Sequence, residues 1–422
     1  MEDLGNLFER LKENDLLNTS YPLRVKDWDA FRVHESLSFD DERELAFYIH
    51  IPFCKQLCSF CEYCRMPLPS AEIQEEYLRT IKSDINKFIS KHKHINLYGF
   101  DIGGGTPTSL DESCFQLLMD IYDNTANRQS WTVDFEPSIE ATFQTLTIDK
   151  IRRIAQSGIK RISLGVQTTD SKLLTDYHRR TIQIKEMQYW MDVIHKCGIE
   201  KINLDMMYGL DGQNEESIEN DITVLQMLHP EQITLYEFRP NMIGCHSIDK
   251  LQCYNIYNTL WQGIHEMGYR GRFGQNTFSL DRDDFGMSSY LRYRMLNGKA
   301  YKGFGISAQS MSKHGLSYNI GKLSKNPTIY LNIDGFPEEY TYKLPTKERL
   351  AKLISISAYS GTLSLQGLSK IIGLDANSFF RKEIQFALSE GLFTKEDDTL
   401  YITRKGFKYY GATFALFYNV VD

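Results

Sequence analysis

From residue 44 onwards, short apolar and β-branched runs alternate with longer segments of helical periodicity. The short runs predict six strands, at residues 45–51, 95–102, 132–136, 161–166, 201–207 and 232–238. The intervening segments predict helices at residues 71–92, 114–125, 147–157, 184–197 and 217–228. Strands that alternate with helices are typical of βαβ units and a parallel sheet. Several strands end on glycine or polar residues, which favours an incomplete α/β barrel over a flat dinucleotide-binding sheet.

The two ends of the chain depart from this alternation. Residues 4–17 predict an amphipathic helix, and a turn-rich arm follows at residues 18–22. The pattern breaks again at residues 344–346, after which three helices and a strand pair at 392–394 and 400–403 are expected. We therefore predict an α/β fold in three parts. These are an N-terminal arm (1–43), a partial (β/α)6 TIM-type barrel with an extension (44–343), and a small helical, winged-helix-like C-terminal domain (344–422).

The composition argues against several classes of protein. The 422 residues carry a formal net charge of -7, which argues against a nucleic-acid surface. No apolar run approaches the roughly 18 residues of a membrane span, and the N-terminus lacks the basic and apolar regions of a signal peptide. Four of the eight cysteines cluster between residues 54 and 64, unlike the disulfide framework of a small secreted protein. We expect a cytoplasmic protein without nucleic-acid or membrane partners.

The clustered cysteines are the strongest chemical signal in the chain. Cys54, Cys58 and Cys61 have the spacing C-x3-C-x2-C, and Cys64 follows. Structural zinc sites usually combine two separated C-x2-C pairs, so this spacing fits an iron–sulfur loop better. Three thiolates hold three irons of a cubane cluster and leave the fourth iron open to the amino and carboxylate groups of S-adenosylmethionine (SAM). Cys64 could close that position as a fourth ligand, but a nearby free thiol is the favoured interpretation.

Further candidate contacts stand at the ends of the next predicted strands. The run Gly103-Gly-Gly-Thr-Pro-Thr108 lacks the lysine of a phosphate-binding loop and suits close backbone approach to an amino acid. Asp134 or Glu136, Gln167 and Asp205 interrupt apolar strands where barrel enzymes place their sites. Arg179 could pair with a carboxylate, although either Arg179 or Arg180 could instead lie on a helix surface.

Several longer segments resemble those of one enzyme family. They are Tyr48-Ile-His-Ile-Pro-Phe-Cys54, Gly103-Gly-Gly-Thr-Pro-Thr108, Arg161-Ile-Ser-Leu-Gly-Val-Gln167, Asn203-Leu-Asp-Met-Met-Tyr-Gly209 and Gly303-Phe-Gly-Ile-Ser-Ala308. With the cysteine spacing, they make the chain similar to the HemN-like radical SAM enzymes. That group includes oxygen-independent coproporphyrinogen III dehydrogenase and related methyltransferases. The resemblance extends over nearly the whole chain.

The resemblance implies a [4Fe–4S] cluster on Cys54, Cys58 and Cys61 and two bound SAM molecules. The first SAM would contact Tyr48, Phe60, Gly104, Gly105, Thr106, Gln167, Arg179 and Asp205. The acidic SAM contact of the family falls on Asp134 by register with Pro137, with Glu136 as the alternative. The second SAM would lie near Met207, Arg239 and Gln309. A reducing partner such as flavodoxin or ferredoxin is also implied.

The substrate side departs from the dehydrogenase pattern. Residues 236–241 and 274–278 differ from it, and Arg239, Arg270 and Arg272 do not form a matched set for four propionates. These departures favour a radical methyl or methylene transfer to a small-molecule, natural-product substrate. The alternative is oxidative decarboxylation of coproporphyrinogen III. A third class is a haem- or cluster-carrying protein without turnover, against which the complete set of SAM contacts argues.

Overall fold

We analysed a computed structural model of the chain, which describes residues 3–13, 21, 25–92, 94–238, 248–322, 324, 327–331 and 333–417. Arg239 and the predicted helix beyond residue 13 lie outside these residues. In the first third the strands are Arg32–Val33 (β1), Glu44–Ile51 (β2), Phe53–Cys54 (β3), Met66–Pro67 (β4), Asn96–Gly104 (β5) and Ser130–Ala141 (β6). The helices there are Leu4–Glu13 (α1), Ala71–Lys91 (α2) and Glu112–Ala126 (α3).

Strand and helix continue to alternate through the middle of the chain. The strands are Arg161–Gln167 (β7), Lys201–Tyr208 (β8), Gln232–Glu237 (β9), Thr277–Ser279 (β10), Tyr301–Phe304 (β11), Gln309–Ser312 (β12), Gly315–Asn319 (β13) and Glu338–Tyr342 (β14). The helices are Ile148–Gln156 (α4), Ser171–Asp176 (α5), Ile184–Lys196 (α6), Glu215–Leu228 (α7), Lys250–Glu266 (α8) and Ser289–Asn297 (α9).

Twelve strands form one mixed sheet in the order β1-β14-β13-β12-β11-β2-β5-β6-β7-β8-β9-β10. The six predicted strands are neighbours in it and run parallel from β2 to β9. A seventh parallel strand, β11, pairs with the other side of β2, so the cysteine-bearing strand lies inside the sheet. The α/β fold is therefore as predicted, and the two edge strands of the sheet, β1 and β10, do not pair with each other within the described residues.

The two faces of the sheet differ in chemistry because successive side chains point to opposite sides. In β7, Ile162, Leu164 and Val166 belong to the main hydrophobic core. Ser163 and Gln167, on the other face, line a cavity. Helices cover the apolar face, as parallel sheets require. The polar face is thus left as the wall of a potential site.

The C-terminal part contains more elements than the sequence predicts. Its helices are Thr346–Ser357 (α10), Leu365–Ile372 (α11), Ala376–Phe379 (α12), Arg381–Ser389 (α13), Arg404–Lys408 (α14) and Tyr410–Ala415 (α15). The predicted strand pair is present as Phe393–Glu396 (β16) and Thr399–Ile402 (β17), and Thr362–Ser364 (β15) adds a third strand. The prediction of three helices was wrong. Most of these helices are short, and a short helix shows little apolar periodicity in the sequence.

Helix α1 packs on this C-terminal part. Phe8 is 6% exposed, and its ring meets the rings of Phe386 and Tyr409 edge-on, each with centroids 6.1 Å apart. Burial of an aromatic ring in such a contact contributes both area and favourable ring geometry. The first helix is therefore part of the folded core rather than a loose arm.

We expect Phe8→Ala to lower the free energy of unfolding by about 2–4 kcal/mol, because it leaves a cavity between α1 and α15. Phe379→Ala is the control, since that ring is 49% exposed and should cost about 1 kcal/mol or less. Urea denaturation followed by fluorescence measures both. Equal losses in the two variants would show that α1 is not anchored as described.

Candidate active site

The cysteine loop is closed at its base by short strands. It leaves β2 at Ile51 and returns where β3 pairs in parallel with β4. Met66 N donates to Pro52 O at 2.8 Å, and Leu68 N donates to Cys54 O at 3.0 Å. These bonds fix both ends of the segment that carries the thiols. Cys54 and Cys58 are buried, and Cys61 is partly exposed.

Each of the three thiols has a polar neighbour that can donate to sulfur. Thr106 Oγ1 lies 3.7 Å from Cys54 Sγ, and Arg179 Nη1 lies 3.4 Å from Cys58 Sγ. The Arg65 guanidinium lies close enough to Cys61 for its charge to lower the pKa of that thiol, against the larger effect of burial. Burial raises the pKa of Cys54 to about 11 and also raises that of Cys61. Iron must therefore displace protons from these thiols, as is usual for thiolate ligands.

Cys64 is held away from these three thiols. Its carbonyl oxygen lies 2.8 Å from Nε2 of His50, and its thiol is close enough to Ser307 for that residue to lower its pKa, against the larger effect of burial. Burial lowers the pKa of His50 to about 4, so the ring is neutral and can donate to that carbonyl. The cavity is lined by Cys54, Cys58 and Cys61 but not by Cys64. The geometry agrees with a loop that offers three ligands and one unattached thiol.

The glycine run lies against the cysteine loop at distances that exclude side chains. Gly105 N donates to Ile51 O at 2.7 Å, and a Cβ at Gly105 would stand 2.9 Å from Cys54 Sγ. Gly104 has a φ of +115° and its N–H donates to Glu140 Oε2 at 3.0 Å. Only glycine readily combines a positive φ with such close contact to neighbouring atoms. The run thus brings backbone groups directly beside the thiols.

Two polar groups at the ends of β7 and β8 complete the cavity wall. Asp205 accepts from Ser163 Oγ at 3.0 Å and from Asn203 Nδ2 at 2.7 Å. Burial raises its pKa to about 6. Gln167 adopts a φ of +76°, an uncommon conformation for a residue other than glycine. Arg179 donates to the carbonyl of Gly165, which holds its guanidinium at the same edge.

The acidic contact expected at Asp134 is not in the cavity. Asp134 is exposed on the first half of β6 and bonds the Tyr293 hydroxyl. Glu136 instead pairs with Lys201. The prediction was wrong because β6 continues past Pro137 to Ala141, so its carboxyl end lies several residues later. Glu140 occupies that end and lines the cavity.

The sequence analysis did not identify Glu140. Its position at the end of an extended strand could have indicated a contact in the site. Its side chain is open to the cavity, yet protein surrounds it and removes much of its solvation. This desolvation, together with a smaller effect of the nearby Asp205, raises the pKa of Glu140 to about 7. Such a perturbed carboxyl in a cleft is typical of a functional site.

Some of the other predicted SAM contacts line the cavity, and others do not. Phe60, Gly104, Gly105, Thr106 and Met207 line the cavity. Tyr48 does not line it; its hydroxyl lies 3.3 Å from His50 Nδ1 and its ring stacks on Tyr290.

Gln309 was expected near a second SAM but is also remote from the cavity lining. Its amide accepts from Arg294 at 3.0 Å and from the Tyr301 hydroxyl, and it donates to Tyr318 at 2.7 Å. These neighbours occupy both ends of the amide. Arg239 lies outside the described residues. The number of SAM molecules therefore stays a prediction.

The cavity has a volume of about 410 Å³ and suits a cluster with an attached ligand. In the described residues, no three His, Cys, Asp or Glu side chains converge as around a single metal ion. A cubane differs, because each thiolate binds a separate iron. Arg65 Nε is buried beside the cavity without a hydrogen-bond partner in the described part of the chain. The donor set and this orphaned N–H fit a [4Fe–4S] cluster on Cys54, Cys58 and Cys61.

Another buried carboxyl group, Asp101, lies on the same face of the sheet. Its Oδ2 accepts from Ser288 Oγ at 2.6 Å, whereas Oδ1 has no partner in the described residues. Burial raises the pKa of Asp101 to about 7. The cavity side of the sheet thus holds three carboxyl groups, at Asp101, Glu140 and Asp205, that protonate more readily than in water.

We expect the metal-free protein to lose stability as the pH rises from about 4 to 7. In this window the folded protein keeps protons that the unfolded chain releases near pH 4, so each such carboxyl contributes a slope of about 1.4 kcal/mol per pH unit. Asp101→Asn should reduce the slope, and Asp149→Asn, at a carboxyl with 78% exposure, should not. Urea midpoints at about pH 5, 6 and 7 test this. An unchanged slope in Asp101→Asn would contradict it.

Comparison with known proteins gives concordant results. Residues 48–225 match the Radical SAM superfamily. The heme chaperone HemW of Bacillus subtilis (strain 168) is 26% identical, over 85% of this chain and 95% of the relative. The oxygen-independent coproporphyrinogen III oxidase of Bradyrhizobium diazoefficiens is 28% identical, over 46% of this chain and 42% of the relative.

The fold also has a solved counterpart. Coproporphyrinogen III oxidase (HemN) from Escherichia coli superposes with a TM-score of 0.72, at 20% sequence identity, over 90% of this chain and 91% of that chain. At this identity the similarity concerns the fold. No helix in the described part of the chain is both long and apolar enough to cross a membrane. From the matched domain, the relatives and this fold, we conclude that residues 48–225 form a radical SAM domain and that the chain as a whole is similar to the HemN-like radical SAM proteins.

Proposed function

We propose that this protein binds a [4Fe–4S] cluster and SAM in the described cavity and acts on a tetrapyrrole of the coproporphyrinogen III type. The observation that carries the proposal is the convergence of three thiols, the glycine run and two carboxyl groups on one cavity, with Cys64 outside it. When bound, the cluster supplies the electron that cleaves SAM to methionine and a 5′-deoxyadenosyl radical.

The residues around the cavity have a suitable charge pattern for SAM. SAM carries two positive centres, its ammonium and sulfonium groups, and one carboxylate. Glu140 and Asp205 can complement the positive centres, and Arg179 can pair with the carboxylate. The backbone of the glycine run can approach the amino-acid end without steric hindrance. Binding in this orientation would place SAM beside the thiols.

The part of the cavity that would face the substrate suits a ring-shaped, anionic molecule. The arginines considered in the sequence alone gave weaker support for such a substrate. Tyr236 and Tyr359 face the cavity with ring centroids 5.8 Å apart, and they offer aromatic surface. Lys55 and Arg180 are exposed at the cavity. By contrast, Arg272 forms a salt bridge with Glu396 and does not line the cavity.

The relatives favour this substrate class over methyl transfer to a natural product. The matched oxidases act on coproporphyrinogen III, as their name states. Oxidative decarboxylation is therefore our leading proposal for the reaction.

A second candidate is haem binding. Relatives named heme chaperone HemW match 85% or more of the chain in several cases, whereas the oxidases match about half of it. The aromatic pair at the cavity would suit a planar macrocycle in this case as well. The same cavity would then serve recognition of haem rather than of its precursor.

We expect Cys58→Ala to lose nearly all iron and sulfide after anaerobic reconstitution, because one of three cluster ligands is missing. Cys64→Ala should retain wild-type iron, since Cys64 does not line the cavity that the other three cysteines share. Iron and sulfide analysis with absorption spectroscopy measures both. Loss of the cluster in Cys64→Ala would identify a fourth ligand and remove the open position.

We expect the reconstituted protein, given SAM, a low-potential reductant and coproporphyrinogen III without oxygen, to release CO2 over many turnovers. Cys58→Ala is the control and should release none. Products are measured by mass spectrometry together with 5′-deoxyadenosine. SAM cleavage without CO2 would count against this substrate. In that case, a stoichiometric change in the haem absorption spectrum on anaerobic titration would favour the second candidate.

A further inference from the structure

Arg65 has a position in the cysteine loop that the family segments do not include. It follows Cys64 directly and precedes β4, where the loop closes. Its side chain turns back into the loop and lines the cavity together with Cys58 and Cys61. A guanidinium thus lies among the three thiols.

Two contacts tie the guanidinium to the middle of the loop. Arg65 Nη2 donates to Cys58 O at 2.5 Å, and the guanidinium lies close enough to the Cys61 thiol for its charge to lower the pKa of that thiol. The segment between those residues makes one turn, closed by Cys61 N donating to Cys58 O at 3.3 Å. Arg65 therefore holds both ends of the turn that spaces two of the predicted cluster ligands.

The third guanidinium nitrogen of Arg65, Nε, indicates that a ligand binds beside it. Nε is buried and has no partner in the described residues, and a buried N–H without an acceptor is costly. No carboxylate forms a salt bridge with Arg65 in that part of the chain, although its positive charge lies beside the thiols. An anionic group bound at the thiols would satisfy both needs.

We infer that Arg65 is a positioning residue that fixes the Cys58–Cys61 turn and raises the reduction potential of the bound cluster. The inference rests on the proposed function. Reduction adds a negative charge to the cluster, so a neighbouring cation and N–H donors to sulfur favour the reduced state. The planar fork of arginine can reach Cys58 O and Cys61 together, which a lysine ammonium does less well.

The test uses anaerobically reconstituted full-length protein without SAM or substrate, and a redox titration followed by electron paramagnetic resonance. Arg65→Gln should shift the midpoint potential to a more negative value, and Arg65→Lys should fall between it and the wild type. Iron per chain should fall in both variants. Arg152→Met is the control, since that side chain is 62% exposed on α4 and its loss should change neither quantity.

An Arg65→Gln protein with the wild-type potential would overturn the inference. If this variant holds no cluster, Arg65→Lys decides, because wild-type iron content and potential in that variant would show that the fork contacts are not needed. A wild-type protein that takes up no cluster would overturn the proposed function and this inference with it. A loaded wild type whose potential is unaffected by Arg65 variants would overturn the inference alone.

Discussion

The close approach of the end of β5 to the cysteine loop is the constraint on which the site depends. Gly103, Gly104 and Gly105 are packed so tightly that a Cβ on any of them would meet Glu140, His50 or Cys54 within 3 Å. The N–H groups of Gly104 and Gly105 bind Glu140 and Ile51 and so join three neighbouring strand ends. Without this approach, thiols and carboxyl groups from separate strands would not share one cavity.

Much of the fold was predictable from the sequence because the six predicted strands run parallel and one of their two faces is apolar. The six strands of the sequence pattern are the six that lie side by side, and the cysteine loop follows the first of them. The acidic contact was misplaced for a specific reason. Pro137 lies within β6, in register with Phe100, where it was taken for the end of a strand. Strand length, unlike strand existence, depends on neighbours that the sequence does not reveal.

Other features depended on contacts between distant segments. The bond between His50 and the carbonyl of Cys64 helps to decide which cysteine is excluded from the cavity. The hydrogen bonds of Gln309 with Arg294, Tyr301 and Tyr318 span only 15, 8 and 9 residues, but they form because α9, β11 and β13 fold back around β12. No local periodicity reports such pairs, and β15 is too short to show any.

The cavity side of the sheet carries an imbalance of charge. Arg161 is only 4% exposed and is held by Gln232 and Ser138, both at 2.8 Å. It lowers the pKa of Asp101, Glu140 and Asp205, while burial raises all three. Arg179 also lowers the pKa of Asp205, yet the pKa values of all three carboxyl groups remain raised. A ligand with positive centres would complete the balance, and this couples occupancy of the cavity to the protonation of its walls.

The position of β2 between β5 and β11 has a consequence for biogenesis. Ala46 pairs with Tyr301 and Ile49 with Phe304, across some 250 residues of chain. During synthesis the ribosome releases the cysteine strand long before this partner exists, so one edge of the strand is unpaired for most of translation. Closure over such a separation is slow by comparison with local contacts. The sheet around the cysteine strand is therefore complete only after most of the chain has been synthesised.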